Sequence, residues 1–542
     1  MRNKCLKLSS LVLAASLSLG IVNPVFADNT ESAGISAKTN SYSLDFDSSN
    51  YKKESKYING KEVFYRAFRN IVYVQNPKSV KYQSLNIYIP EDYFTNKSIN
   101  GYTAKSAPVF MPNGVGGYMP GEAIEPSEKD FMSGSANSVL AALARGYVVV
   151  SPAIRGRTTI GDDGVTYVGK APAFLVDYKA AVRYLRHNAD KLPAGNTEKI
   201  ISNGTSAGGA LSALLGTTGN AYEYNKYLKE IGAADERDDI FASSDYCPIT
   251  NLDHADMAYE WIFSDVYSYR PAIWQLQDLK ARGVKNEMTK NLKDDQGKAP
   301  DANAANNPRE TEVMIEMTKD EKNVSKILAA TFPEYVNSLK LKNPDGSILS
   351  LDQDGNGSFK DYIKEIYRKS AQEALEHGAD LNNTDWIILR KNKVVDVDLK
   401  KYPVSATRMK AAPAFDKMDL SSAENDEFGN TINQPKHFSK VVKEYTKSKQ
   451  FADQDLINLM NPMYFIKGHR AELLNSSVKI APHFRIRHGA VDRDTSIAIP
   501  AILALSLQEK GIDVDFFSPW GRGHSGDYDL DRLFDWIDSI CR

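Results

Sequence analysis

Hydrophobic residues along this chain fall into two regimes. Up to about residue 250, short apolar runs rich in Val, Ile, Tyr and Phe recur and stop at Gly, Pro or Asn: EVFYRAF, QSLNIYIP, APVFMPN and GYVVVSPAI. Runs of this length, closed by turn formers, predict strands. FLVDYKAAVRYLRHNADKL (174–192) changes period, with apolar residues at helical spacing and a basic second half. KIISNGTSAGGALSALLG passes from a strand through a Gly-rich turn into another helix, and DDIFASSDYCPI returns to a strand. From 253 to 460 the chain is polar, lysine-rich and helical, with few strand signals. HFRIRHGAV, VDFFSPW and the helical DLDRLFDWIDSI then resume the first pattern.

Strands alternating with helices predict a mostly parallel sheet flanked by helices. Two domains side by side would not need strand signals to return at the C-terminus. The pattern therefore predicts one α/β domain, 56–252 and 461–542, interrupted by a large, mainly helical lid insertion over 253–460. A length of 542 residues, long for a single core, agrees. No internal repeat is present.

A formal net charge of −2 argues against nucleic acid or a membrane surface as partner. The N-terminus has a different origin from the fold. MRNKCLK is basic, LSSLVLAASLSLGIV is apolar and short for a span, and NPVFA ends in an A-x-A-like site. These features predict a signal peptide over 1–27, cleavage after Ala27, and a secreted protein. Residues 28–55 are Ser/Asn/Thr-rich and read as a flexible lead-in. Cleavage leaves Cys247 and Cys541, too few for a disulfide framework; one bridge and two buried thiols both remain open.

The candidate chemistry begins at Gly204-Thr205-Ser206-Ala207-Gly208, which fits G-x-S-x-G. Five residues alone also fit an ordinary Gly-rich strand-to-helix turn. A strand before and a helix after supply the context of a nucleophile elbow, whose strained serine needs small neighbours. A serine hydroxyl needs a base, and the base needs an orienting carboxylate, in the chain order Ser, Asp/Glu, His. His524, in the Gly-rich loop SPWGRGHSGDYD before the last helix, is the candidate base. His488 precedes both Asp492 and Asp494 and has the wrong order. Asp492, the first carboxylate after the penultimate strand, is the candidate acid. An oxyanion needs two donors. The N–H of Ala207 is one, and the N–H of Gly117 in FMPNGVGGYMPG is the other, unless that segment is only a glycine turn.

GTSAGG, MPNGVGGYMPG, AIRGRTT, CPITNLDHADMAYEW, RMKAAPAFD, RIRHGAVDRDTS and HSGDYDL occur in one order from about Tyr65 to the end. Together they resemble the bacterial tannases, α/β-hydrolases with a large lid that cleave galloyl esters. The resemblance implies a Ser206, Asp492, His524 triad. It also implies that Lys410, Glu424 and Asp494 bind the three galloyl hydroxyls. By residue type alone, Lys410 and Glu424 would pass for a solvated lid surface. The implied chemistry is sound, since carboxylates accept strongly from phenols and an ammonium donates to a phenolic oxygen. It requires no cofactor.

Asp352, Asp354 and Asn356 have the spacing of a calcium loop, but Ile363 stands where the bidentate glutamate belongs, and a turn into a helix explains the same residues. The expectation is a secreted serine esterase that hydrolyses galloyl esters of tannins, small molecules, to gallic acid. The alternatives are a feruloyl or other aromatic-acyl esterase of the same fold and, in another class, a non-catalytic polyphenol-binding protein.

Overall fold

Val109 to Met111, Val148 to Val150, and Ile200 with Ile201 come from apolar runs without polar alternation, and all are buried. Such strands belong inside a sheet covered on both faces. The computed structural model, which describes residues 41–130, 134–272, 314–468 and 478–542, puts them there. Its main sheet comprises β1 (Lys52–Ile58), β2 (Lys61–Val72), β3 (Ser84–Pro90), β4 (Pro108–Pro112), β5 (Val148–Pro152), β6 (Asn196–Thr205), β7 (Ala242–Tyr246), β8 (His483–Arg487) and β9 (Asp513–Phe517). Their order is β1-β2-β3-β5-β4-β6-β7-β8-β9. The first three strands run antiparallel to their neighbours, and β5 to β9 pair in parallel. Helices α1 (Ser138–Arg145), α2 (Ala173–His187) and α3 (Ala207–Thr217) cross between these strands. This is the α/β-hydrolase arrangement. The loops after β4, β6, β8 and β9 all leave from the carboxyl ends of parallel strands, where open α/β sheets carry their sites.

The chain leaves this pattern at α4 (Leu252–Phe263) and returns at β8. Between them lie α5 (Lys319–Leu339), α6 (Ser358–Glu376), a short hairpin of Ile387–Arg390 with Lys393–Val397, and α7 (Ala423–Glu427). Residues Ser41–Arg542 form one compact unit, so these elements share the core of the sheet domain. Arg408 in the insertion and Glu260 on α4 pair with both side chains fully buried, and Ser325 also donates to Glu260.

One boundary differs from the sequence reading, which takes 28–55 as a flexible lead-in. Within the described residues the chain is already ordered before 55. Asn188 accepts the Phe46 N–H at 2.8 Å and donates to the Leu44 carbonyl at 2.8 Å. Phe46 packs on Phe68, and β1 begins at Lys52. KKESKYI hides this strand because it is the polar outer edge of the sheet. The signal peptide over 1–27, the lead-in to residue 40 and insertion residues 273–313 lie outside the described residues.

Candidate active site

Ser206 sits between β6 and α3 at φ 63° and ψ −123°. A non-glycine residue there is strained by on the order of 1–3 kcal/mol, so the surroundings must hold it. They do so by close approach. A Cβ on Gly204 would meet the Gly208 carbonyl at 2.2 Å, and one on Gly208 would meet the Asn113 side chain at 2.6 Å. Asn113 at the end of β4 clasps the elbow, its amide donating to the carbonyls of Asn203 (3.1 Å) and Gly208 (3.0 Å) and to Ser212 (3.2 Å).

The Ser206 hydroxyl is 2.8 Å from Nε2 of His524, and Nδ1 of His524 is 2.8 Å from Oδ2 of Asp492. The other Asp492 oxygen accepts the N–H groups of Asp494 (2.9 Å) and Thr495 (3.2 Å). Two loops meet to build this line. Backbone N–H groups of Ala490 and Val491 donate to the carbonyls of Pro519 and Arg522, each at 3.0 Å. Only glycine fits at 489, where a Cβ would lie 2.2 Å from the Arg522 carbonyl. The insertion braces the same turn: Tyr259 donates to the Arg493 carbonyl at 2.9 Å.

Burial works to raise the Asp492 carboxyl, but His524, His488 and the Asp494 N–H outweigh it and hold it well below the usual range. Burial works to lower His524, but the Asp492 charge above all lifts it well above its ordinary value. That combination keeps Asp492 ionised and stabilises an imidazolium.

Two N–H groups beside this line lack an internal acceptor among the described residues. The Ser206 carbonyl accepts from Ala210, so the trans peptide turns the Ala207 N–H the opposite way, out of the helix N-terminus. The Gly116 carbonyl likewise accepts from Met119 at 2.9 Å, turning the Gly117 N–H away from that bond. Gly117 has φ 53° and lines a cavity of about 1560 Å³, together with Ser206 and His524.

Lys410, Glu424 and Asp494 line the same cavity. All three are buried, against the solvated surface that their residue types suggest. The Lys410 ammonium is 2.7 Å from Asp494 Oδ1 and 4.0 Å from the centre of the Phe415 ring. Burial pushes the Glu424 carboxyl up, against the pull of Lys410. No side chain donates a hydrogen bond to Glu424 among the described residues. The cavity thus holds a serine hydroxyl hydrogen-bonded to an imidazole together with an ammonium and two carboxylates.

Asp352, Asp354 and Asn356 are not part of this cavity. They form a turn into α6, in which Asp352 accepts the N–H groups of Asp354 (3.0 Å) and Asn356 (2.8 Å). Lys360 donates to the Asn356 side chain, putting a cation where a calcium ligand would have to be free. The cysteines Cys247 and Cys541 are both free and buried. Cys247 lies against the triad line, and its sulfur, His524 and Asp492 offer ligand atoms within 4.8 Å of one another. A metal there would replace the Asp492–His524 hydrogen bond.

Sequence reasoning gave no task to Asn113 or Arg157, read Cys247 only as a thiol and set His488 aside. His488 fails as a base by chain order, yet it stands 3.6 Å from Asp492 and 3.1 Å from the Thr495 hydroxyl. Arg157 lies within AIRGRTT, one of the motifs carrying the resemblance, which was the only signal for it.

A family model described as BD-FAE matches residues 115–272. A comparison with curated proteins gave no match. Among solved structures, the chain is similar to a Fusobacterium nucleatum tannase (46% identity, TM-score 0.81, covering 92% of this chain and 100% of that one). It is also similar to a tannin acyl hydrolase from Lactobacillus plantarum (42% identity, TM-score 0.81, covering 92% and 99%). A third, a tannin acyl hydrolase in complex with ethyl gallate, is 41% identical with a TM-score of 0.80, covering 92% and 99%.

Proposed function

Because the chain belongs to the bacterial tannases, we propose that it is a serine esterase that hydrolyses galloyl esters of tannins and releases gallic acid. The observation that carries this reading is one cavity lined by Ser206 and His524 and also by Lys410, Glu424 and Asp494. The relative in complex with ethyl gallate supports the acyl group.

The geometry supports a two-step acyl transfer. Ser206 Oγ attacks the ester carbonyl while its proton passes to Nε2 of His524. Asp492 holds the Nδ1–H and stabilises the imidazolium. The carbonyl oxygen becomes an oxyanion and accepts from the N–H groups of Ala207 and Gly117. The intermediate collapses, and the leaving alcohol or phenol takes the proton from His524. Water, deprotonated by His524, then attacks the galloyl-enzyme. Gallic acid leaves and Ser206 regains its proton. Asp494 and Glu424 accept from the ring hydroxyls, and Lys410 donates to a phenolic oxygen. A ring lacking those hydroxyls would cover the buried Glu424 carboxyl without giving it a donor, which is the source of selectivity.

Comparing methyl gallate, methyl ferulate and phenyl acetate tests this. Methyl gallate should be the preferred ester. Asp494→Ala should lose about 10–150-fold in kcat/KM on methyl gallate, the worth of a hydrogen bond to a charged group, and much less on phenyl acetate. A preference for ferulate, or equal losses on both esters, would remove the galloyl assignment.

Export follows from the basic, apolar and A-x-A-like N-terminus. Sequencing the exported protein should read Asp28 first; an N-terminus still at Met1 would exclude cleavage after Ala27.

A further inference from the structure

The segment after β5 touches two parts of the site at once. On one side it holds the oxyanion loop. Ile154 and Gly121 exchange backbone hydrogen bonds, and the Arg157 N–H donates to the Tyr118 carbonyl at 2.8 Å. The approach is close enough that a Cβ on Gly156 would lie 2.3 Å from the Met119 carbonyl carbon. On the other side the segment holds the insertion, through Tyr167 to Thr431 and Ala171 to Glu427 in the backbone.

Arg157 joins the two sides with one side chain. Its Nε donates to the Gly117 carbonyl at 3.0 Å, and its Nη1 pairs with Asp426 at 2.6 Å. Asp426 lies on α7, two residues after Glu424, and is also held by Lys170 at 2.5 Å. The Gly117 peptide therefore has both neighbours fixed: Met119 holds the Gly116 carbonyl and Arg157 holds the Gly117 carbonyl. Only the Gly117 N–H is left to a substrate. Gly117 has a positive φ and open space around it, so its conformation is held by the hydrogen bonds on its two flanking peptides, Met119 on one and Arg157 on the other, rather than by packing.

We infer that Arg157 is a positioning residue: it fixes the Gly117 N–H for the oxyanion and ties that donor to the helix carrying Glu424. The inference rests on the reading of Gly117 as an oxyanion donor. A planar fork suits this task, since two partners at a fixed angle need two N–H vectors. A lysine presents its donors from one mobile point and does not fix two partners along set directions.

The experiment compares Arg157→Lys, Arg157→Met, Asp426→Asn and the Arg157→Lys/Asp426→Asn double variant on methyl gallate and phenyl acetate. Arg157→Lys should lower kcat about 10–100-fold on both esters with little change in KM, because a misdirected oxyanion donor acts in the transition state of any ester. Asp426→Asn should lose less, and the double variant should lose no more than Arg157→Lys alone, because the two groups act through one connection. Thermal unfolding of Arg157→Lys should match wild type, which separates positioning from simple support. Wild-type kcat in Arg157→Lys and Arg157→Met, or fully additive losses in the double variant, would overturn the inference. Should wild type prefer phenyl acetate to methyl gallate, the galloyl reading fails, and the phenyl acetate data still decide the role of Arg157.

Discussion

Ser206→Ala is expected to lower kcat for methyl gallate on the order of 10⁵-fold or more, as loss of the nucleophile does in other serine hydrolases. His524 has Nε2 turned to Ser206 and Nδ1 turned to Asp492, and the Cys247 thiol beside them is buried and donates to the Ser525 carbonyl. The residual rate would come from the oxyanion donors and substrate binding alone. Release of gallate is the readout, followed by spectrophotometry with enzyme at high concentration. Unchanged release would mean that the line of Ser206, His524 and Asp492 is not the catalytic machinery. Retained gallate binding without turnover in wild type would instead favour a polyphenol-binding protein. The strain at φ 63° gives the same position a second signature. Ser206→Gly removes the strained Cβ and should unfold at a higher temperature than Ser206→Ala.

The second large effect is expected at Asp492→Asn, on the order of 10⁴-fold in kcat, the loss seen when a triad carboxylate becomes an amide. It should be equal on methyl gallate and phenyl acetate, in contrast to Asp494→Ala. The pH profile should move with a defined sign. His524 acts as base only when neutral, so the acid limb of kcat/KM follows its pKa. Burial works to lower that pKa, and the Asp492 charge is the main influence raising it. Removing the charge should therefore shift the acid limb to lower pH. A limb that stays in place, or that moves upward, would show that Asp492 does not set the His524 titration.

The central strands β4 and β5 were legible because they are buried on both faces and so are written as nearly unbroken apolar runs. Ser206 was legible because its turn demands Gly204, Gly208 and Gly209 within six residues. Asp492 and His524 followed from chain order once the return of the strand pattern had been seen. Lys410 and Glu424 could not be found that way. Each is one polar residue in a polar insertion, and only tertiary folding buries them beside Asp494. The residue types were visible, but their burial was not, and burial is what changes their chemistry. β1 was hidden for the converse reason: an outer strand paired on one side with β2 needs few apolar residues, and the segment before it is held by Asn188, more than a hundred positions away. Arg157 stood within a motif but without a task, because both its partners are distant in sequence.

The hydrogen bond from the Asp494 N–H to the Asp492 carboxylate bears on how this enzyme could be redesigned. On the proposed mechanism, choice of acyl ring and orientation of the base are written into one stretch of backbone. Any remodelling of position 494 that shifts its main chain will also disturb the catalytic line. Glu424 makes no such bond to the turn, whereas Lys410 reaches it through its pair with Asp494. A programme to retarget the pocket to other phenolic acids should diversify the insertion first and keep the 492–495 turn intact, changing the ring that is read without touching the reaction that follows.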